Sequence, residues 1–546
     1  MLASAIIPKR DAHGQWLVKG GEMKIKRLIL IVLTLVAIAI AGFSLFNSWQ
    51  EPQFQSRLEL YQTNIALQAA EWEPPKDNSA NLKPAREAIL GEKPLEAAIK
   101  QYQDVREAAE TNLEKTKNQL AKLQSQPITT PTTPKPQPEI PPASNASREV
   151  QQKQLQQSRN QLQKLIAELD LRLGILQAQQ QQLQTAQKTW AQLPQSNIDL
   201  KLKETAAVLS GLWSDPPRLL PNAQQLIQEN LEGWFSSTAL IQLYQLQQRQ
   251  EALSTLEAAK QAAASQALVK LAIIGTIPTL TALIGMGLLI FLIGQRLIKG
   301  KAALLAQNGD RVWTTPWDAE TILQVFVVGF FLLGQIVVPI LFSLIPIPRP
   351  VGNVRIQALY VLVSYLLLAL GALSVMYFSL KRFLPLESDW FRFRVLDKWF
   401  LWGFGGYCAA LPIVVVVSLI NQQLWQGQGG SNPLLQLALE SQDSTALSIF
   451  FFTAAIAAPL FEEVLFRGFL LPSLTRYFSV WGAIFVSALL FAIAHLSLSE
   501  ILPLSALGVV LGVVYTRSRN LLAPMLLHSL WNSGTLLSLF LLGSNK

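Results

Sequence analysis

Cysteine is almost missing from this sequence, since Cys408 is the only one among 546 residues. A single thiol cannot form an intramolecular disulfide or build a cluster of thiolate metal ligands. Histidine is nearly as rare, with three residues in the whole chain. The sequence therefore excludes a disulfide scaffold and a cysteine-rich metal site, and it limits histidine chemistry to very few positions.

Charged residues are also scarce, at 15% of the chain, while half of the residues are hydrophobic. This composition is too apolar for a soluble protein of such length and is typical of a multi-pass membrane protein. The net charge of +9 comes largely from Lys and Arg at the ends of apolar runs, where lipid headgroups account for them. No basic and aromatic pattern indicates nucleic-acid binding. We therefore expect the lipid bilayer as a partner, and no nucleic acid.

Nine apolar segments predict nine transmembrane helices. The first, 28–46, follows a basic tail and is long enough to span a bilayer. These features favour an uncleaved signal anchor, although cleavage near Ala39 to Ala41 remains the alternative. The other predicted spans are 270–296, 320–346, 356–380, 399–420, 446–470, 479–498, 501–517 and 520–542.

Basic residues are concentrated in alternate loops between these spans, as the positive-inside rule requires. The loops that contain Arg296, Lys381 and Arg517 are rich in Lys and Arg, whereas 422–444 and 496–499 have neither. This alternation predicts a cytoplasmic tail at 1–27 and places 47–268 on the opposite side of the membrane. We expect a bacterial cell membrane.

Residues 47–268 are rich in Gln, Leu, Lys, Glu and Ala and contain no run that could span a bilayer. A hydrophobic residue recurs every seven positions, which predicts helix packing like that of a coiled coil. The members of this repeat are Leu155, Leu162, Leu169, Leu176, Leu183 and Trp190. A Pro-rich linker at 127–142 separates it from an earlier helical segment, so a helical hairpin is predicted. This domain could also bind a helical partner.

The predicted fold is thus an all-α polytopic membrane bundle with a large helical insert. Its parts are the tail 1–27, the anchor 28–46, the insert 47–268 and the membrane domain 269–546. The insert is predicted to be extramembrane, and its segment from about 221 is expected to continue helically into the next span.

Polar residues on three apolar helices form the candidate site. Each ionisable group costs about 2.5–3.5 kcal/mol inside a membrane helix, so such groups indicate function. Glu463 and Arg467 are four residues apart and can pair on one helix face, whereas the adjacent Glu462 points elsewhere. Glu463 is then held by Arg467, and Glu462 is available as a general base.

Two further pairs lie on the following helices. Phe491 and His495 are one helical turn apart near the end of one span. His528 and Asn532 share a face of the last span and can offer two donors to a developing oxyanion. Each pair taken alone has a structural alternative, because polar residues also join helices by hydrogen bonds in membranes.

The three motifs EExxxR, FxxxH and HxxxN, in this order within 440–546, resemble the CPBP family of intramembrane proteases. That family includes CAAX prenyl endopeptidases of the Rce1 type and bacterial Abi proteins. The resemblance implies a glutamate-dependent endopeptidase that hydrolyses a membrane-associated peptide or protein. Glu462 would activate water with His495, Glu463 and Arg467 would support Glu462, and His528 with Asn532 would form the oxyanion site. Phe491 would be a supporting residue, and the mechanism implies no cofactor.

Three other functions are also consistent with these residues. Two histidines and a glutamate are enough ligands for zinc, so a zinc-dependent protease is an alternative. A noncatalytic receptor, scaffold or immunity protein that works through its insert is another, and a proton-coupled transporter is a weaker one. Helix lengths predict that the motifs reach one depth only if the helices bend or are irregular, with Pro459 and Pro524 as causes.

Overall fold

The computed structural model describes residues 25–49, 55–73, 79–125, 143–193, 199–344, 353–425, 429–430, 437 and 443–543. These residues form helices joined by loops and contain no β-strand. By contacts, the chain divides into two units. The membrane unit comprises 1–51, 285–421 and 445–533, and the helical unit comprises 52–284, 422–444 and 534–546. The predicted Pro-rich linker at 127–142 lies outside the described residues.

The helical unit is built mainly from helices α2 to α9. They are Gln55–Ala70 (α2), Ser79–Leu90 (α3), Pro94–Ser125 (α4), Ala143–Gln179 (α5), Leu183–Gln192 (α6), Leu200–Leu212 (α7), Ala223–Asn230 (α8) and Gly233–Leu246 (α9). The C-terminal part of α5 is buried nearly all round and packs against α4, α6, α7 and α9. The unit is therefore a bundle of several helices around α5, and its core is formed by more helices than the two of a coiled coil.

The predicted heptad seam holds only as far as Leu176. Leu169 and Leu176 are fully buried, but α5 ends at Gln179, and Gln181 has a left-handed φ of 64°. Leu183 is consequently exposed at the start of α6. Trp190 returns to the core, where its indole nitrogen donates to the Leu171 carbonyl at 3.2 Å. The turn after α5 thus breaks the seven-residue repeat, because it redirects the chain.

Helix α10 (Gln250–Lys299) runs without interruption through 50 residues, as the sequence predicted for the entry into the second span. The remaining helices are Ile25–Trp49 (α1), Ala319–Leu344 (α11), Val354–Leu380 (α12), Trp399–Trp425 (α13), Ser444–Leu474 (α14), Val480–Ile493 (α15), Ile501–Ser518 (α16) and Leu522–Gly543 (α17). Eight helices in the described part of the chain are long and apolar enough to cross a membrane. The protein is therefore an all-α, multi-pass membrane protein.

Helix α15 is the predicted span that falls short. Its 14 residues reach about 21 Å at 1.5 Å per residue, less than the roughly 30 Å of a bilayer core. The chain leaves the helix at Ala494 and passes through Leu496, whose φ is 56°. His495 consequently lies in the turn that follows α15, and not within a helix as its spacing suggested.

Helix α1 is an integral part of the membrane unit. Its Ala37 is buried against Val327 and Leu332 of α11. At its start, Lys26 and Arg27 both form ion pairs with Glu320 of α11, each at 3.0 Å. The segment predicted as an anchor therefore packs against helix α11 of the membrane unit.

Helices α15 and α16 approach closely because α16 carries glycine where they cross. A Cβ on Gly508 would lie 2.9 Å from Ala488, and a Cβ on Gly512 would lie 2.9 Å from Ile484. Small residues permit such backbone contact between helices in membranes. This packing leaves the Gly508 carbonyl within reach of the neighbouring helix α14.

Candidate active site

Helix α14, which carries both glutamates, is irregular on either side of them. Phe452–Ala457 and Val464–Leu470 are π-helical, and the short α-helical segment Ala458–Glu463 separates them. Such π segments occur often at functional sites. The irregularity that the sequence predicted is thus confirmed for α14. Pro524, by contrast, lies in the first turn of α17, where proline interrupts no intrahelical hydrogen bond.

Two contacts join α14 to α17 in the turn before Pro459. Proline has no amide hydrogen, so Pro459 cannot donate to a carbonyl four or five residues before it. Those carbonyls belong to Ala455 and Ala454. Ser529 Oγ donates to the Ala455 oxygen at 2.6 Å, and Asn532 Nδ2 donates to the Ala454 oxygen at 2.7 Å. Two side chains of α17 thus bind backbone carbonyls of α14 in the turn before Pro459.

Glu463 and Arg467 form the ion pair that their spacing predicted. Arg467 Nη1 donates to Glu463 Oε1 at 2.9 Å, and neither side chain has any exposed surface. Arg467 Nη2 also donates to the Gly508 carbonyl of α16 at 3.2 Å. This pair therefore holds α14 against α16 within the interior of the bundle.

His528 joins the same pair from α17. Its Nδ1 donates to Glu463 Oε1 at 2.8 Å, because the carboxylate paired with Arg467 acts as the acceptor. Glu463 Oε2 and Arg467 Nε are buried and have no hydrogen-bond partner among the residues that the structure describes. One carboxylate oxygen thus accepts hydrogen bonds from both side chains, while the second is left with acceptor capacity.

Glu462 lies in a different environment from its neighbour, as predicted. It is half-buried, and Tyr365 of α12 donates to its Oε1 at 2.9 Å. Within the described part of the chain, this is its one hydrogen-bond partner, and no hydrogen bond joins Glu462 directly to His495. Glu463 is therefore fully buried in an ion pair, whereas Glu462 is half-buried and, among the described residues, has one hydrogen bond, from Tyr365.

Phe491 lies among the cationic and imidazole groups. Its fully buried ring meets the rings of His495 and His528 edge to face, with centroids 5.0 and 5.7 Å apart. The Arg467 guanidinium lies 4.5 Å from the same centroid, a distance typical of a cation–π contact. This ring is thus the common contact between groups from α14, the turn after α15, and α17.

His495 is oriented by its own helix. Its Nδ1 lies 2.9 Å from the Phe491 carbonyl, and a carbonyl can only accept. Nδ1 therefore carries the proton, and in the neutral ring Nε2 presents a lone pair. The following loop is held from two sides, since Ser48 Oγ accepts from the Leu498 amide at 3.1 Å and Asn421 Nδ2 donates to the Ser499 carbonyl at 2.7 Å.

The zinc alternative requires at least three suitable side chains at one point. No group of three or more His, Cys, Asp and Glu side chains in the described ranges is arranged to hold a metal ion. Glu462, His495 and His528 as placed therefore do not fit a zinc ligand set.

Sequence reasoning missed four polar residues of this region: Tyr365, Ser529, Ser48 and Asn421. Ser529 carries a weak signal, because it adjoins His528 on a helix that faces Pro459. The other three lie far from the motifs in sequence. Their contacts depend on how α12, α1 and α13 pack, which no local pattern encodes.

Comparison with known proteins places the resemblance in the same part of the chain. Residues 444–534 match the model of the family described as Type II CAAX prenyl endopeptidase Rce1-like. The membrane-embedded CAAX protease MroQ of Staphylococcus aureus (strain USA300) is 28% identical over 137 residues, which are 24% of this chain and 54% of MroQ. No solved structure gives a significant match.

A second relative is YdiL of Bacillus subtilis (strain 168), a candidate membrane peptidase. It is 25% identical over 133 residues, which cover 24% of this chain and 53% of YdiL. The chain thus spans about half the length of these two relatives. The match to the Rce1-like family model contains all three motifs, so the similarity to CAAX proteases lies in the segment that carries the candidate site.

Proposed function

We propose that this protein is an intramembrane glutamate-dependent endopeptidase that hydrolyses a peptide bond in a membrane-associated substrate. The observation that carries the proposal is the difference between two adjacent glutamates. Glu463 is fully buried between Arg467 and His528, while Glu462 is half-buried and bound by a single hydroxyl. A structural cluster has no need of a second, lightly held carboxylate in an apolar helix, whereas a general base must be free to take a proton.

In the proposed reaction, Glu462 takes a proton from water as the water oxygen attacks the carbonyl carbon of the peptide bond. His495 assists by accepting a hydrogen bond from that water at Nε2, the nitrogen left with a lone pair. The tetrahedral intermediate then collapses with cleavage of the C–N bond. Glu462 returns its proton to the leaving amine, so one water is consumed and a carboxylic acid and an amine are formed.

His528 and Asn532 are proposed to stabilise the oxyanion. Asn532 uses one amide hydrogen on the Ala454 carbonyl and retains the other. His528 already donates from Nδ1, so its Nε2 can donate only when the ring carries both protons. The Glu463 carboxylate supplies the counter-charge for that imidazolium. Each such donor typically contributes about 2.7–4 kcal/mol to stabilising a transition state.

The proposal is tested by comparing membrane proteins from cells that express the wild type or the Glu462→Gln variant. New N-termini are labelled and identified by mass spectrometry. Glu387→Gln is the matched control, since Glu387 lies in an exposed loop of the same unit. We expect cleavage products with the wild type and the control that are absent with Glu462→Gln. Products that persist with Glu462→Gln would show that proteolysis through this residue is the wrong account.

The same comparison in isolated membranes with a strong chelator tests the role of a metal. Cleavage by a metal-free glutamate mechanism continues at an unchanged rate. Cleavage that stops with chelator and returns with added zinc would favour the zinc-dependent protease.

A further inference from the structure

Tyr365 reaches the candidate base from outside the segment that resembles known proteases. It lies on α12, whereas the family match covers 444–534. Its hydroxyl donates to Glu462 Oε1 at 2.9 Å. A carboxylate has two oxygens, so a donor fixed to one of them also determines where the other points.

The Tyr365 ring is held in place by packing. It is half-buried and meets Phe461, the residue before Glu462, edge to face with centroids 5.9 Å apart. The hydroxyl therefore approaches Glu462 from a ring that is already fixed beside the same turn of α14. Edge-to-face contacts of this kind favour one relative orientation of two rings.

Helix α12 is itself closely packed against α11. A Cβ on Gly371 would lie 2.6 Å from the Leu333 side chain, and a Cβ on Gly329 would lie 2.9 Å from Val375. Gln324 Nε2 also donates to Ser379 Oγ at 3.0 Å. The helix that carries Tyr365 has little freedom to slide, so the hydroxyl is a fixed donor.

We propose that Tyr365 is a positioning residue that orients the Glu462 carboxylate, so that Oε2 faces the attacking water. This inference rests on the proposed function of Glu462. The phenol is neutral and donates only one hydrogen, so it orients the carboxylate without neutralising it as Arg467 neutralises Glu463. The two adjacent glutamates thus receive different partners that suit different tasks.

The test uses the full chain in lipid nanodiscs and the probe N,N′-dicyclohexylcarbodiimide, which reacts with protonated carboxyl groups in apolar surroundings. Tyr365→Phe keeps the ring and removes the hydroxyl. Tyr377→Phe is the matched control, because Tyr377 lies on the same helix but is largely exposed. Labelling of Glu462 is followed by mass spectrometry over a range of pH, and thermal unfolding confirms that each variant is folded.

We expect Tyr365→Phe to increase the rate of Glu462 labelling about three- to tenfold at neutral pH, because the carboxylate loses the hydroxyl that holds it. The control should match the wild type. The rate of substrate cleavage should fall about 10- to 100-fold in Tyr365→Phe, since a misoriented base is a poor one. Labelling that is unchanged from the wild type would overturn the inference.

The labelling requires no substrate, so the inference and the proposed function can fail separately. Persistent cleavage by Glu462→Gln would refute the function, whatever Tyr365 does. Loss of cleavage in Glu462→Gln together with unchanged labelling and cleavage in Tyr365→Phe would refute only the role of Tyr365.

Discussion

The buried pair of Glu463 and Arg467 gives the strongest prediction about stability. Both side chains are fully buried and their charged atoms are 2.9 Å apart. Removing one partner leaves an uncompensated buried charge, which costs about 3–5 kcal/mol. Arg467→Met leaves Glu463 without its cation. The change also removes the hydrogen bond to the Gly508 carbonyl and the contact with Phe491. With a shift of about 2–4 °C per kcal/mol, the unfolding midpoint should fall by roughly 10 °C.

The assay is thermal unfolding of the full chain in detergent for a double-mutant cycle. Glu463→Gln leaves Arg467 without its counter-charge, so it should destabilise by a similar amount. The double variant Glu463→Gln with Arg467→Met contains no buried charge at this pair. Replacing both ions by neutral groups is often nearly neutral for stability. We therefore expect the double variant to be more stable than either single variant.

An exposed pair supplies the control for this cycle. Lys93 and Glu96 are 2.8 Å apart, but both side chains are more than half exposed. The corresponding changes Lys93→Met and Glu96→Gln should leave the midpoint unchanged, because exposed pairs contribute little. A double variant at the buried pair that is no more stable than its worse single variant would refute the reasoning.

Two further predictions concern the loop after α15 and the core of the helical unit. Asn421→Leu removes the donor to the Ser499 carbonyl, so hydrogen exchange of the amides at 495–500 should become about three- to tenfold faster. Unchanged exchange would show that Asn421 does not hold this loop. Burial raises the pKa of Tyr102 from 10.0 to about 12, so its contribution to stability is complete below pH 10 and is lost as pH rises towards 12. Tyr102→Phe should therefore show a smaller drop in chemical stability between pH 9 and pH 11.5 than the wild type, by about 2 kcal/mol at most. Equal drops would argue against this assignment.

Much of the fold followed from local patterns. Apolar runs predicted the spanning helices because hydrocarbon requires both apolar side chains and internally satisfied backbone. The exception is α15, where an apolar run continued past the true end of the helix at Ile493. The turn at Leu496 adopts a left-handed conformation that hydropathy does not report. The heptad pattern failed after Leu176 for a similar reason, since the turn at Gln181 interrupts it.

Part of the candidate site was also predictable. Spacing alone predicted the pairing of Glu463 with Arg467 and the separate direction of Glu462, because residues four apart share a helix face and adjacent ones do not. The motif order predicted the resemblance to CAAX proteases, which the family match confirmed. The catalytic roles of Glu462, His495, His528 and Asn532 stay predictions.

The sequence by itself determined that this is an all-α membrane protein with an ionisable cluster near its C-terminus, because composition and helical periodicity are local properties. Only the tertiary structure decided which partners these groups meet. His528 binds Glu463, Asn532 binds the Ala454 carbonyl, and Tyr365 binds Glu462. These contacts join residues 65, 78 and 97 positions apart, so they depend on how helices pack in space.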